Sequence, residues 1–428
     1  MAVTETEHVS WGSRLGNSIK NVIGGIALFI LAFPLLFWNE GRTLHRHQAL
    51  EEGASTVISL PDNKKADAAN EGKLVHMSGR GTTAETLTDS AYGVTVKKAY
   101  RLVRGVEMFQ WKENVEETRT KNAGGSEDIT RTYTYKKVWS STPIDSSSFR
   151  EAGHENPAWT LEKAEFQAKN VDFGAVKLTE SQIRNAGTLQ PVPMPKRETP
   201  LPAGLDPQYV VRTGTGFYQS RLPLPLAPVT TTEEAPAATN TPAAPARVSV
   251  RRTEPAQAQI GDMRITFSYA PECDLSFVGR QAGNQLVPYK TKAGKGETIL
   301  LQENGIKDAQ SMFQTAEEAN TMMGYILRFV GFMMMFIGLK TFFKPLEVLA
   351  DVLPIMGNIV GAGASMIAFL IALVCSILTI GIAWVFYRPV AGIITLLVAA
   401  ALAWMTMKRL KNASVRRKAE QAAAQPAE

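Results

Sequence analysis

A single arginine stands inside the apolar stretches of this chain. Arg328 falls in a run near residues 322–339, where Gly324, Gly331 and Gly338 recur every seven residues. In a helix it shares their face. A glycine stripe lets a second helix approach closely, so Arg328 is expected to meet protein rather than lipid. A guanidinium there has two outlets. It snorkels to the headgroups, or it pairs with Glu40 at the outer end of the first apolar run, the preferred partner. The chemistry is that of assembly. A transport path needs several polar groups along several spans, and here Ser365, Ser376, Thr379 and Thr395 are the main polar residues of the later runs.

Other candidates are weaker. Gly357 and Gly361 form a GxxxG pattern, a packing signal. Residues 344–353 place Leu346, Leu349 and Leu353 on one helical face and Glu347 and Asp351 near the other, as suits a short helix on the membrane interface. The cluster Lys408, Arg409, Lys411, Arg416, Arg417 and Lys418 suits a topology anchor or a patch for anionic lipid. His45 and His47 flank Arg46 without supporting Cys or carboxylate spacing, so no metal is expected there; His76 and His154 stand alone. No P-loop, nucleophile elbow, HExxH or paired CxxC is present. Glu107 and Asp262 fall in candidate strands and read as sheet-face residues. No catalytic residue, cofactor or nucleic-acid partner is expected, although the chain carries a net charge of +6.

These residues need a membrane frame to position them. Apolar runs occupy residues 22–38, 322–339, 359–386 and 390–407. Each is long enough for the hydrocarbon core of a bilayer. The expected fold is therefore an α+β membrane protein, with four transmembrane helices and a large β-rich extracytoplasmic domain between the first and second. No small-x-small cleavage site follows the first run, which reads as an uncleaved anchor. The basic tail places residues 408–428 in the cytoplasm, and four spans then put residues 1–21 there too. Residues 340–358 become a cytoplasmic or interfacial connector, and 39–321 the outer domain. Arg388 is expected at the outer surface, beside Trp384 and Tyr387.

Within the outer domain, residues 74–78 read as a strand. Residues 100–111 and 129–139 read as arms of a long antiparallel hairpin, joined by a charged stretch ending in Asn122-Ala123-Gly124-Gly125. A second β region runs through 209–212, 216–218, 263–269, 275–281, 286–289 and 298–302. Residues 161–186 are mixed and include helix. Residues 222–246, rich in Pro, Ala and Thr, read as a disordered insertion. Cys273 and Cys375 lie in different compartments, so no disulfide staples the domain.

Asn39-Glu40-Gly41-Arg42 follows the first run, and Asn70-Glu71-Gly72-Lys73-Leu74-Val75-His76 opens the domain. Then come Val106-Glu107-Met108-Phe109-Gln110-Trp111 and Gly153-His154-Glu155-Asn156-Pro157. Gly261-Asp262-Met263-Arg264-Ile265-Thr266-Phe267-Ser268-Tyr269, Gln285-Leu286-Val287-Pro288-Tyr289 and Phe386-Tyr387-Arg388-Pro389 complete the set. With these motifs in this order, most of the chain resembles the LUMA family, transmembrane protein 43. The resemblance implies a non-enzymatic scaffold that self-associates. In its animal member it implies an inner-nuclear-membrane protein with a luminal domain, organising partners such as emerin and lamins. The insertion 222–246 and both termini depart from the family pattern. The Ala-rich composition points to a prokaryotic homologue in the plasma (inner) membrane, its domain periplasmic or extracellular. A eukaryotic source would imply the inner nuclear membrane or endoplasmic reticulum.

The function expected is an oligomeric membrane organiser, whose partners are itself, membrane lipids and unidentified membrane or envelope proteins. The alternatives are an oligomeric channel or transporter, then an envelope enzyme.

Overall fold

The computed structural model describes residues 2–61, 63, 68–196, 199–231 and 247–390, with isolated positions up to 397. It is an α+β protein with a large β-rich region and three helices long and apolar enough to cross a membrane. Apart from those isolated positions, the fourth apolar run and the basic tail lie outside the described residues.

The first helix, α1 (Trp11–Thr56), overruns its apolar segment at both ends. The Ser10 side chain caps it, accepting from Ser13 N at 3.3 Å. Its 46 residues extend about 69 Å at about 1.5 Å per residue. A short helix, α2 (Glu180–Asn185), sits in the mixed region behind a Thr179–Gln182 capping box. Helix α3 (Ala309–Ala350) returns antiparallel to α1, capped by Asp308, and α4 (Pro354–Tyr387) folds back along both, with proline in its first turn. The separate interfacial helix expected at 344–353 does not form. Instead α3 runs on unbroken to Ala350, through Pro345. Tertiary contacts stabilise the extension: Val348 is buried, and its carbonyl accepts from Trp11 Nε1 at 2.8 Å.

Two mainly antiparallel sheets build the body. The larger has eight strands. Its path runs Val3–Val9, Glu127–Ser140, Ala99–Lys121, Met263–Pro271, Gly216–Gln219, Val210–Arg212. Short strands Ala164–Gln167 and Gln190–Pro191 pair off this path. The five-stranded sheet centres on Leu74–Arg80 and Asp274–Ala282, with Ile58–Ser59 joining in parallel. Tyr100, Leu102, Val106, Met108, Phe267 and Phe277 are among the side chains of the main core. A smaller cluster of Leu50, Met312, Phe313 and Ile299 seats the body on one end of α1 and α3.

Three differences from the sequence reading matter. The charged stretch after residue 111 is not a connection. Ala99–Lys121 is one strand of 23 residues, paired with Glu127–Ser140 in continuous register. Cross-strand pairs such as Glu117–Arg131 at 3.1 Å accompany that register, and Gly124 and Gly125, at φ +87° and +83°, make the turn. The outer half of this hairpin leaves the core as a polar ribbon. Secondly, Val3–Val9 pairs with residues 127–133 at the ribbon's end. The charge rule assigns these two segments to opposite faces of the membrane, yet they share one sheet. Thirdly, Leu226–Thr231 pairs with Arg247–Arg252, so the segment read as disordered is a strand at its start; residues 232–246 lie outside the described residues.

Candidate functional site

Two charged junctions bind the helices together. The first lies just beyond the apolar run of α1. Arg328 on α3 donates through Nε and Nη2 to the two oxygens of Glu40 on α1, at 2.6 and 2.7 Å. This is the planar, bidentate geometry that suits guanidinium and carboxylate. Trp384 on α4 adds a third donor, Nε1 to Glu40 Oε2 at 2.8 Å. Glu40 is 5% exposed and so joins three helices from a buried position. The Tyr325 ring lies 5.3 Å from the guanidinium carbon. Next to Glu40, Asn39 Nδ2 donates to the Gly324 carbonyl at 3.1 Å, while its Oδ1 is buried without a partner. A carboxylate holding three donors is neutralised and shielded. It is a joint between three helices.

The glycines explain how close the helices come. A Cβ at Gly331 would sit 2.5 Å from Leu36, and one at Gly338 would sit 2.6 Å from the Gly25 carbonyl oxygen. Gly324 is looser, with Thr43 Oγ1 at 3.2 Å. On α1, Gly41 makes room for the Tyr387 ring at 2.6 Å. Gly357 and Gly361 do something different. A Cβ on Gly357 would collide with Asp351, and one on Gly361 would meet Glu347 at 2.8 Å. They admit the carboxylates at the end of α3.

Those carboxylates form the second junction, at the other end of the bundle. Asp351, fully buried, lies between Arg14 Nη2 at 2.5 Å and Lys121 Nζ at 2.8 Å. Arg14 also meets Glu127 at 3.3 Å and donates to the Gly125 carbonyl. Lys121 reaches Glu347 at 3.3 Å and Asn358 at 3.2 Å. The backbone closes the joint: Gly124 N donates to the Val352 carbonyl at 3.0 Å, and Trp11 packs on Gly125. Burial alone would push the Asp351 carboxyl up. Hydrogen bonds and attraction from Lys121 and Arg14 outweigh it and hold the carboxyl below the usual carboxylate range.

Sequence reasoning named Glu40, Arg328 and the glycines but missed Trp384 as a third donor. It missed the second junction as a unit, because Arg14, Lys121, Glu127 and Asp351 come from three distant segments. The remaining candidates are dispersed. His47 meets Glu317 at 2.9 Å, and His154 stacks on Tyr135 with ring centroids 4.0 Å apart. His76 contacts the Lys307 carbonyl at 2.8 Å, and His45 edges onto Tyr387. No cluster fit for a metal occurs among the described residues. Glu107 stands opposite Arg264 in the sheet register. Asp262 is buried and takes hydrogen bonds from the Tyr218 hydroxyl, Ser220 Oγ and Gln259 N. Burial, and then Asp262 itself, push the Tyr218 hydroxyl up. This too is a satisfied structural cluster.

The family model for Transmembrane protein 43 matches residues 108–389, which carry most of the body and all three helices' junction residues except those on α1. The chain belongs to the transmembrane protein 43 family. Rat Transmembrane protein 43 is 32% identical over 399 residues, covering 90% of this chain and 89% of its own. The human protein is 31% identical over 415 residues, 93% of each chain. A Drosophila melanogaster homologue is 29% identical over 395 residues, covering 89% of this chain and 93% of its own. No solved structure matches.

Proposed function

We propose that this chain is a non-enzymatic, multi-pass membrane scaffold that associates with itself and gathers other membrane or envelope proteins around its β-rich body. One observation carries the reading: a buried carboxylate of the bundle, Glu40, is engaged by Arg328 and Trp384 in holding three helices together. The polar chemistry of the spans serves cohesion. The outward faces of these helices are apolar, with Ile23, Ile30, Phe329 and Ile359 exposed, as suits lipid or a sister subunit. In this reading Gly324, Gly331 and Gly338 fix the fold of one protomer, and assembly uses the other faces. The basic tail Lys408–Lys418 sits against anionic lipid and keeps the scaffold oriented.

The test is the mass of the purified full chain in lipid nanodiscs, by light scattering across a wide dilution series. A stable multiple of the protomer mass is expected. Protomer mass at every concentration would remove self-association from the reading. Proximity labelling from the β-rich body in native membranes then tests the gathering role, with a reproducible set of membrane proteins as the expected result.

A further inference from the structure

The body and the second junction lie at opposite ends of the same helices. Leu50, where the body sits, and Arg14, where the ribbon ends, both belong to α1. Along a helix rising about 1.5 Å per residue they are about 54 Å apart. The hydrocarbon core of a bilayer is only about 30 Å thick. The free part of the hairpin is long enough to cross that core: residues 109–121, beyond the pairing with Met263–Pro271, extend about 43 Å at about 3.3 Å per residue. Among the described residues, its hydrogen bonds and ion pairs with the helices all involve Lys121, Gly124, Gly125 or Glu127, at the tip. Between root and tip it bonds to residues 150–156 rather than to the helices, and so forms a strap beside them.

That strap is polar. Lys112, Glu116, Glu117, Arg119, Lys136 and Lys137 are exposed on it. Val3–Val9 extends it by a third strand and leaves an open edge. Neither an open sheet edge nor such a density of charge is tolerated in hydrocarbon. Yet the tip is firmly made, with Asp351 fully buried among its partners and seven residues of Val3–Val9 in register.

We propose that the hairpin crosses the level of the bilayer in a water- or protein-lined cleft beside the helices, and that its tip latches onto the membrane face opposite the body. The α3–α4 joint, the N-terminal strand and the tip then form one unit on that face. The strap ties it mechanically to the body on the other.

The test is disulfide capture in isolated membranes with a permeant oxidant, in the full chain carrying Cys273→Ser and Cys375→Ala. Thr6 and Thr130 face each other across the N-terminal strand and the ribbon, hydroxyls 3.3 Å apart and exposed. Thr88 and Thr95 offer the same geometry inside the body, 3.2 Å apart. The pair T6C/T130C is expected to cross-link as completely as T88C/T95C, since opposed antiparallel residues satisfy disulfide geometry. Near-complete loss of the T6C/T130C bridge in membranes, with the T88C/T95C bridge formed, would overturn the latch. Formation of the first bridge only after detergent extraction would overturn it too. Labelling of T120C in sealed vesicles by an impermeant thiol reagent gives a second readout. It is expected only when the face opposite the body is outward; labelling from the body's face rejects the crossing.

Discussion

The two junctions use the same groups in different ways. At Glu40 one carboxylate meets one guanidinium and one indole, all on helices and aligned by helix geometry. At Asp351 one carboxylate meets two cations from segments remote in sequence, an N-terminal helix turn and a hairpin tip. The first holds neighbours that would pack anyway on their apolar faces. The second holds elements with little apolar surface in common. Loss of the acid should therefore cost more at the second, where two cations lose their closest carboxylate at once, although Arg14 keeps Glu127 and Lys121 keeps Glu347.

The largest expected effect is Asp351→Ala. It leaves Arg14, 7% exposed at its side chain, without its closest carboxylate and strips Lys121 of its shortest contact. Removing one partner of a buried ion pair costs about 3–5 kcal/mol. A fall in the melting midpoint of the purified protein, with faster proteolysis at the tip, checks it. A wild-type midpoint would show that the junction carries no stability. Acid should reproduce the loss. The Asp351 carboxyl titrates below its ordinary range, so its contribution is complete above that range. It is lost as pH falls through the ordinary range to the depressed value. Protease access to residues 119–127 should rise across that window, and Asp351→Asn should be open at neutral pH and lack the acid step.

Next comes the crossing of α1 and α3. Gly338→Ala drives a Cβ against the backbone carbonyl of Gly25, which cannot rotate away, whereas Gly324→Ala meets only the side chain of Thr43. Overpacking of this kind costs about 1–3 kcal/mol. The Gly338 variant should lose that much and the Gly324 variant well under it, read as paired melting shifts. Equal shifts would mean that the helices separate as easily at both points.

What the sequence disclosed follows the range of each signal. The first three apolar runs, the seven-residue glycine spacing and the Gly124-Gly125 turn are local, and each lies in the element that the reading assigned. Arg328 and Glu40 belong to neighbouring spans, so a charge in each was enough to name the pair. The ribbon was hidden because charge density in residues 112–121 resembles a loop, and only its partner strand shows that the charges are matched across a ladder. The N-terminal strand was hidden more deeply. Val3–Val9 has apolar residues only at its two ends, so no alternation marks it, and its partner lies beyond the whole of α1. Gly357 and Gly361 carry a related lesson: a small-residue spacing records closeness, here to the end of α3, and not the chemistry of what comes close.

A smaller effect sharpens the first junction. In a double-mutant cycle of Glu40→Gln and Arg328→Leu, a coupling of about 1 kcal/mol is expected, in the range for contacting residues and toward the modest values found within membranes. Additive losses would mean that the pair contributes geometry without energy. The smallest change is Trp384→Phe. It keeps an aromatic ring near the guanidinium and removes the donor to Glu40 Oε2, leaving the two Arg328 hydrogen bonds intact. A single hydrogen bond to a group still held by two others should cost about 0.5–1.5 kcal/mol. If Trp384→Phe instead matched Arg328→Leu, the indole rather than the guanidinium would be the principal holder of Glu40. The first junction would then depend on α4 as much as the second depends on the ribbon.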